Sequence, residues 1–188
     1  MTAIPQPEFS RITSIDEIPE EGITLILEAT ATERAALARR FDVLAIDSLT
    51  AEVFLWLEQN RSRVKVSGRL RAGVVQRCVV TLDPMAVDND VSFERVYATT
   101  AAGPGAANRP SGEVVLTLDQ DDPPEPLPGD VLDVGETVAE EFGLALDPFP
   151  RAAGAVFDGY TVGPSDQRES SNPFSALASH RNKIEKKG

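Results

Sequence analysis

The chain has 188 residues, 41% of them hydrophobic and 26% charged, and its 30 Asp and Glu against 18 Lys and Arg give a formal net charge of −12. That composition suits one globular domain with a buried core, and its negative field opposes general nucleic-acid affinity, so only a local basic patch could hold polyphosphate. One cysteine excludes an internal disulfide, and no secretory leader or bilayer-length apolar run is present, so a soluble, cytoplasmic protein is expected, with no membrane partner.

Residues 1–21 carry Pro5, Pro7 and Pro19 around a short apolar stretch at Phe9 and Ile12, which reads as a loose arm with one edge strand. Ile23–Leu27 (ITLIL) is a strand rich in β-branched residues. Thr30 with Glu33 forms a capping-box signature for a helix over about Ala31–Phe41, with Leu37 and Phe41 on one face and Arg39 and Arg40 at the negative end of its dipole. Leu49, Ala51, Val53, Leu55 and Leu57 then alternate with Thr50, Glu52, Phe54, Trp56 and Glu58, which predicts a strand whose second face is partly apolar.

A turn at Asn60 leads into Arg61–Leu82, an antiparallel partner strand with a strict period of two. Val64, Val66, Leu70, Ala72, Val74, Cys78, Val80 and Leu82 are apolar, while Arg61, Arg63, Lys65, Arg69, Arg71 and Arg77 alternate with them. The run carries six positive charges and no carboxylate, leaving about −18 for the rest of the chain. Gly68 and Gly73 are candidate bends or bulges.

After Asp83-Pro84, Val87, Val91, Phe93, Val96 and Tyr97 mark another strand. Thr99–Gly112 is a Gly/Pro-rich flexible loop, Val114–Leu118 a short strand and Asp119–Asp130 an acidic, proline-rich loop. Asp133 with Glu136 starts a second helix, with Val134, Val138, Phe142 and Ala145 on one face, Glu136, Glu140 and Glu141 facing out, and Pro148 and Pro150 beyond its end. Residues 151–171 read as irregular, and Asn172 caps a last helix with Pro173 at its first position, carrying Phe174 and Leu177. The expected architecture is α+β: a twisted, mainly antiparallel sheet of about five to seven strands, able to curl towards a barrel, with two packing helices. Residues 1–162 would form that domain and 163–188 a polar tail whose short helix docks on a partner through Asn172, Pro173, Phe174 and Leu177.

Catalytic chemistry finds no support. The only histidine, His180, lies in the polar tail without positioned partners. Cys78 falls on the apolar face, where a thiol is inert. No phosphate-binding loop follows the required pattern. Asp119, Asp121 and Asp122 lack the glycine and closing glutamate of a calcium loop, and one cysteine with one remote histidine cannot bind zinc. No cofactor, metal or small-molecule substrate is expected. The basic face has two readings. It is either a solvated sheet face balanced by acids on neighbouring strands, or a phosphate-contacting stripe, since alternate strand residues lie about 6.6–7 Å apart and arginine forks onto phosphate oxygens. Aromatic stacking residues are expected to be scarce beside that strand, which argues against sequence-specific reading of single strands.

Gln76–Pro84 (QRCVVTLDP), approached from Val66-Ser-Gly68, resembles the YceD family, the large ribosomal RNA subunit accumulation proteins of bacteria. Gly129–Asp133 running into VGETVAEEFGLALDPFPR, and Asn172–Leu177 (NPFSAL), resemble it too. The resemblance implies a cytoplasmic, non-enzymatic protein needed for accumulation of large-subunit ribosomal RNA, hence for ribosome biogenesis. Many relatives carry Cys-x-x-Cys in this strand and further cysteines near the C-terminus. Here Val75 holds the first strand position, so Cys78 inherits no metal role. Two partners follow as alternatives: ribosomal RNA or its precursor on the basic stripe, or a basic ribosomal protein held by the acidic remainder without RNA contact.

Overall fold

The structure is a computed structural model describing residues 7–100 and 124–157, and the fold set out below is that of the unit running to Ala155. In chain order it contains β1 (Ile12–Ser14), β2 (Ile23–Glu28), α1 (Ala31–Arg40), β3 (Ala45–Glu58), β4 (Arg63–Arg77), β5 (Pro84–Ala98), β6 (Glu125–Pro126), β7 (Val131–Asp133) and α2 (Val134–Ala145). The main sheet runs β2-β3-β4-β5-β6, antiparallel except for a short parallel pairing of β6 with β5, while β1 and β7 pair separately. This is the expected α+β class. Among the described residues the sheet stays open, with β2 at one edge and β6 at the other, rather than closing into a barrel.

The period-two pattern explains why the sheet has one inner face. Leu49, Ala51, Val53 and Leu55 of β3 and Val64, Val66, Leu70, Ala72 and Val74 of β4 are all buried together, and a one-residue slip would turn every one of them to water. Both helices pack on this same core through Leu37 and Ala38 of α1 and Val134, Val138, Ala139 and Phe142 of α2. Phe41 and Phe142 meet edge to face, with centroids 5.4 Å apart, and join the helices to each other. The capping box is present: Glu33 N–H donates to Thr30 Oγ1 and Thr30 N–H donates to Glu33. In α2 the Asp133 carboxylate accepts from the N–H groups of Gly135 and Glu136.

Several expectations need correction. The N-terminal arm is anchored, with Phe9 only 1% exposed and Ile15 and Ile18 buried in the core. Ser10 Oγ and Arg11 N–H both donate to Asp133, which ties the arm to the start of α2. The basic strand is shorter than its alternation suggests. Pro84 pairs with Arg77, so residues 78–83 become the connecting turn: Cys78 is buried beyond the strand end, Val80 is half-buried and Leu82 is 66% exposed. At the other end Gln59, Asn60 and Arg61 all have positive φ and form the tight β3–β4 turn, so Arg61 lies outside the strand. Gly68 marks no bulge. It lies opposite Phe93, and a Cβ there would come within 2.4 Å of the Phe93 ring, so the glycine makes room for an aromatic side chain. The register shift instead falls in β3 between Ile46 and Ser48, with Ser48 opposite Gly73. Glu141 is not a free outer residue but is only 13% exposed at its side chain, held by Arg95. The expected acidic loop Asp119–Asp130 is not wholly a loop, since Glu125–Pro126 pairs with β5 as β6. Its residues up to 123, the expected strand at 114–118, the loop positions 101–112, His180 and the tail positions Asn172, Pro173, Phe174 and Leu177 lie outside the described residues.

Candidate functional site

With the even residues of β4 turned inwards, Arg63, Lys65, Arg69, Arg71 and Arg77 project from the opposite face, which no described helix covers. Register decides what surrounds them. On β3, Glu58, Trp56, Phe54 and Glu52 stand opposite Arg63, Lys65, Ser67 and Arg69. On β5, Glu94, Asp90 and Asp88 stand opposite Ser67, Arg71 and Gly73, and Glu28 follows on β2. Five cations therefore share this face with six carboxylates. The charge stripe legible along one strand becomes a surplus of one negative charge across four.

The pairing is specific. Arg69 donates Nε and Nη2 to Asp90 at 2.6 and 2.7 Å, and Arg71 Nε reaches the same carboxylate at 3.4 Å. These hydrogen bonds hold Asp90 below the usual carboxylate range and raise Arg69. Lys65 Nζ lies 3.6 Å from Glu94. Arg63 and Arg77 have no ion-pair partner among the described residues. Arg61 turns away from the row, donating to Ile15 O at 2.8 Å and to Asp16 at 3.4 Å.

The expected scarcity of aromatic residues beside the cations is corrected here, because pairing with β3 brings two rings next to them. Phe54 and Trp56 point the same way because they are two residues apart on β3, and their rings stack with centroids 5.2 Å apart at 28°. Lys65 Nζ sits 5.2 Å from the Trp56 ring centroid, and Trp56 Nε1–H donates to Glu58 at 3.1 Å. Phe54 rests over Gly22, whose φ of +83° and missing Cβ permit the contact: a Cβ would lie 2.5 Å from the Phe54 ring. Beside Phe54 a shallow trough of about 460 Å³ runs past Thr24, Ser67, Arg69, Ser92 and Glu94. Phe54 is 37% and neighbouring Ile26 is 85% exposed.

Two other polar sites are structural. Arg95 is on the inner side of β5, where its guanidinium meets Glu141 and Glu125 at 2.5 Å and Glu140 at 3.8 Å, clamping α2 and β6 to the sheet. Nothing in the hydropathy pattern of β5 signals this inward cation. Cys78 is fully buried, and its Sγ accepts the N–H groups of Ala152 at 3.4 Å and Thr81 at 3.5 Å. Those donors pull the thiol down to about 6 while burial works the other way. Among the described residues no group of three or more His, Cys, Asp or Glu is arranged to hold a metal ion, and no helix is long and apolar enough to cross a membrane.

Residues 66–179 match the family model described as large ribosomal RNA subunit accumulation protein YceD, a span of more than half the chain. The chain belongs to the YceD family. No curated protein and no solved structure gives a match. The family's name ties the chain to large-subunit ribosomal RNA. The YceD match starts at Val66, inside β4, and takes in Arg69, Arg71 and Arg77 together with β5 and α2. Arg63, Lys65 and the Phe54–Trp56 pair precede it, so the aromatic half of this face is a feature of the chain outside the YceD match.

Proposed function

We propose that this chain is a non-enzymatic factor in large-subunit ribosomal RNA accumulation that works by binding, with the outer face of its sheet against ribosomal RNA or its precursor. One observation carries the reading: Arg63, Lys65, Arg69 and Arg71 stand in a row on a face that no described element covers, next to a stacked aromatic pair. Arginine and lysine supply phosphate contacts and the rings supply base contacts. Recovery of the tagged protein from lysate, followed by sequencing of bound RNA, tests it. Enrichment of large-subunit precursor that falls when Arg63 and Arg69 are both changed to Glu supports the proposal. Enrichment untouched by that change, or none at all, removes it. RNA turnover abolished by a single carboxylate-to-amide change would overturn the non-enzymatic half.

A second reading has its own support. Six carboxylates on the same face, in a chain of net charge −12, favour a basic protein such as a ribosomal protein, with no RNA contact. Phosphate contacts predict RNA affinity that falls steeply with salt, and this reading predicts no RNA affinity at any salt concentration.

A further inference from the structure

We infer that the Phe54–Trp56 pair is a stacking platform for unpaired RNA bases, so that this face takes single strands and rejects duplex. The inference rests on the RNA contact proposed above and states what kind of RNA is bound. Charge selects between the two forms. A duplex offers its phosphates and hides the faces of its bases, so a protein surface that holds it works mainly through cations. Here Arg69 and Arg71 are engaged by Asp90, Lys65 lies near Glu94, and six carboxylates answer the five cations, so the face has no surplus of positive charge to offer. Stacking does not need that surplus, because every base presents a π face and the contact is sequence-tolerant.

Geometry supplies the rest. The two rings are stacked on each other and project from a strand, held from beneath by Gly22 and on one side by Lys65, so little side-chain freedom remains to be lost on binding. The trough beside Phe54 is floored by the small side chains Ser67 and Ser92, leaving room next to the ring at a place where Lys65 and Arg69 would otherwise be joined by a bulky neighbour. Lys65 and Arg69 lie about 13 Å apart along β4, roughly two phosphate intervals of an extended strand. Glu52 and Glu94 line the same trough. They repel phosphate and accept hydrogen bonds from amino groups on the Watson–Crick edge, which only an unpaired base leaves free.

Trp56 is the only tryptophan, so its fluorescence reports on the platform directly. The probe is an oligoadenylate of about ten nucleotides, compared with the same strand annealed to oligouridylate. The single strand is expected to quench Trp56 and the duplex not to. Phe54→Ala should weaken single-strand binding about ten-fold, the loss of one stacked base, while Phe54→Tyr, which keeps the ring, should stay within about two-fold of the wild type. Circular dichroism checks that both variants fold, and the Tyr variant keeps the test meaningful if the Ala variant does not. Duplex binding as tight as single-strand binding and unchanged by Phe54→Ala would overturn the stacking inference and leave RNA contact through cations standing. Binding of neither RNA, with quenching by an oligoarginine peptide instead, would overturn the RNA reading and this inference with it.

Discussion

Arg69 and Asp90 form a forked pair across β4 and β5, diagonal to the strict register in which Asp90 faces Arg71. One carboxylate thereby restrains two of the five outer cations. Asp90→Asn should release both. If RNA is bound through this row, the variant should bind a single strand more tightly at low salt, with the slope of log affinity against log salt steeper by about 1.4, two phosphates' worth for single strands. The thermal midpoint should hardly move, because the pair is exposed. Anisotropy titrations from low to moderate salt measure this.

Arg95 is the opposite case, a cation enclosed by Glu125, Glu140 and Glu141. Arg95→Leu should cost about 2–3 kcal/mol in urea unfolding, because Glu141 would keep a largely buried charge with no partner. The midpoint shift should exceed that of any single substitution in the outer cation row.

Glu140 is pushed up first by burial, with Glu136 and Glu125 adding to the rise and Arg95 opposing it. A carboxyl raised in the folded state is easier to ionise once unfolded, so its ionisation costs stability as pH rises through its range. Glu140→Gln should therefore stabilise the protein modestly at neutral pH, and that gain should disappear near pH 3, where both forms are uncharged. Thermal melts of the two proteins at both pH values give the comparison.

Glu33 runs the other way. The Arg11 hydrogen bond leads in pulling it down to about 2, with the capping-box contacts from Thr30 assisting against desolvation. Its contribution to stability is complete above its ordinary value of 4.5 and is lost as pH falls towards 2. Glu33→Gln should flatten that part of the acid unfolding curve, and Thr30→Ala should cost about 1 kcal/mol at neutral pH.

Gly135→Ala offers a test of packing against propensity. In a helix interior the change normally stabilises by about 0.8–1 kcal/mol. Here the new Cβ would lie 2.5 Å from Phe9 O and 2.8 Å from Arg11 N, both backbone atoms that cannot swing aside. The substitution should destabilise by at least about 1–2 kcal/mol, measured by urea denaturation, and should loosen the N-terminal arm first, seen as earlier hydrogen exchange at Arg11 and Val134.

Local chemistry was the legible part of the fold. Thr30 with Glu33, and Asp133 ahead of Val134, announce helix starts because a cap is satisfied within four residues of itself. The alternation from Val64 to Val74 announces the inner face because side chains on a strand have no other period. The pattern failed at Cys78–Leu82, where apolar alternation continues but the partner strand does not begin until Pro84. It failed again at the N-terminal arm, whose burial depends on Asp133, more than 120 residues away.

The sequence by itself therefore determined the long strands, both helices, most of the inner core and five of the six cations it assigned to the outer row, since each follows from residues close together in the chain. Only the tertiary structure decided what that row means. Asp90, Glu94, Phe54 and Trp56 come from strands on either side of β4, and their places opposite Arg71, Ser67 and Lys65 depend on the two turns that set the register. Arg95 faces inwards for the same reason. Charge read along a strand is a local property, whereas the field of a sheet is a sum over neighbours that only pairing brings together.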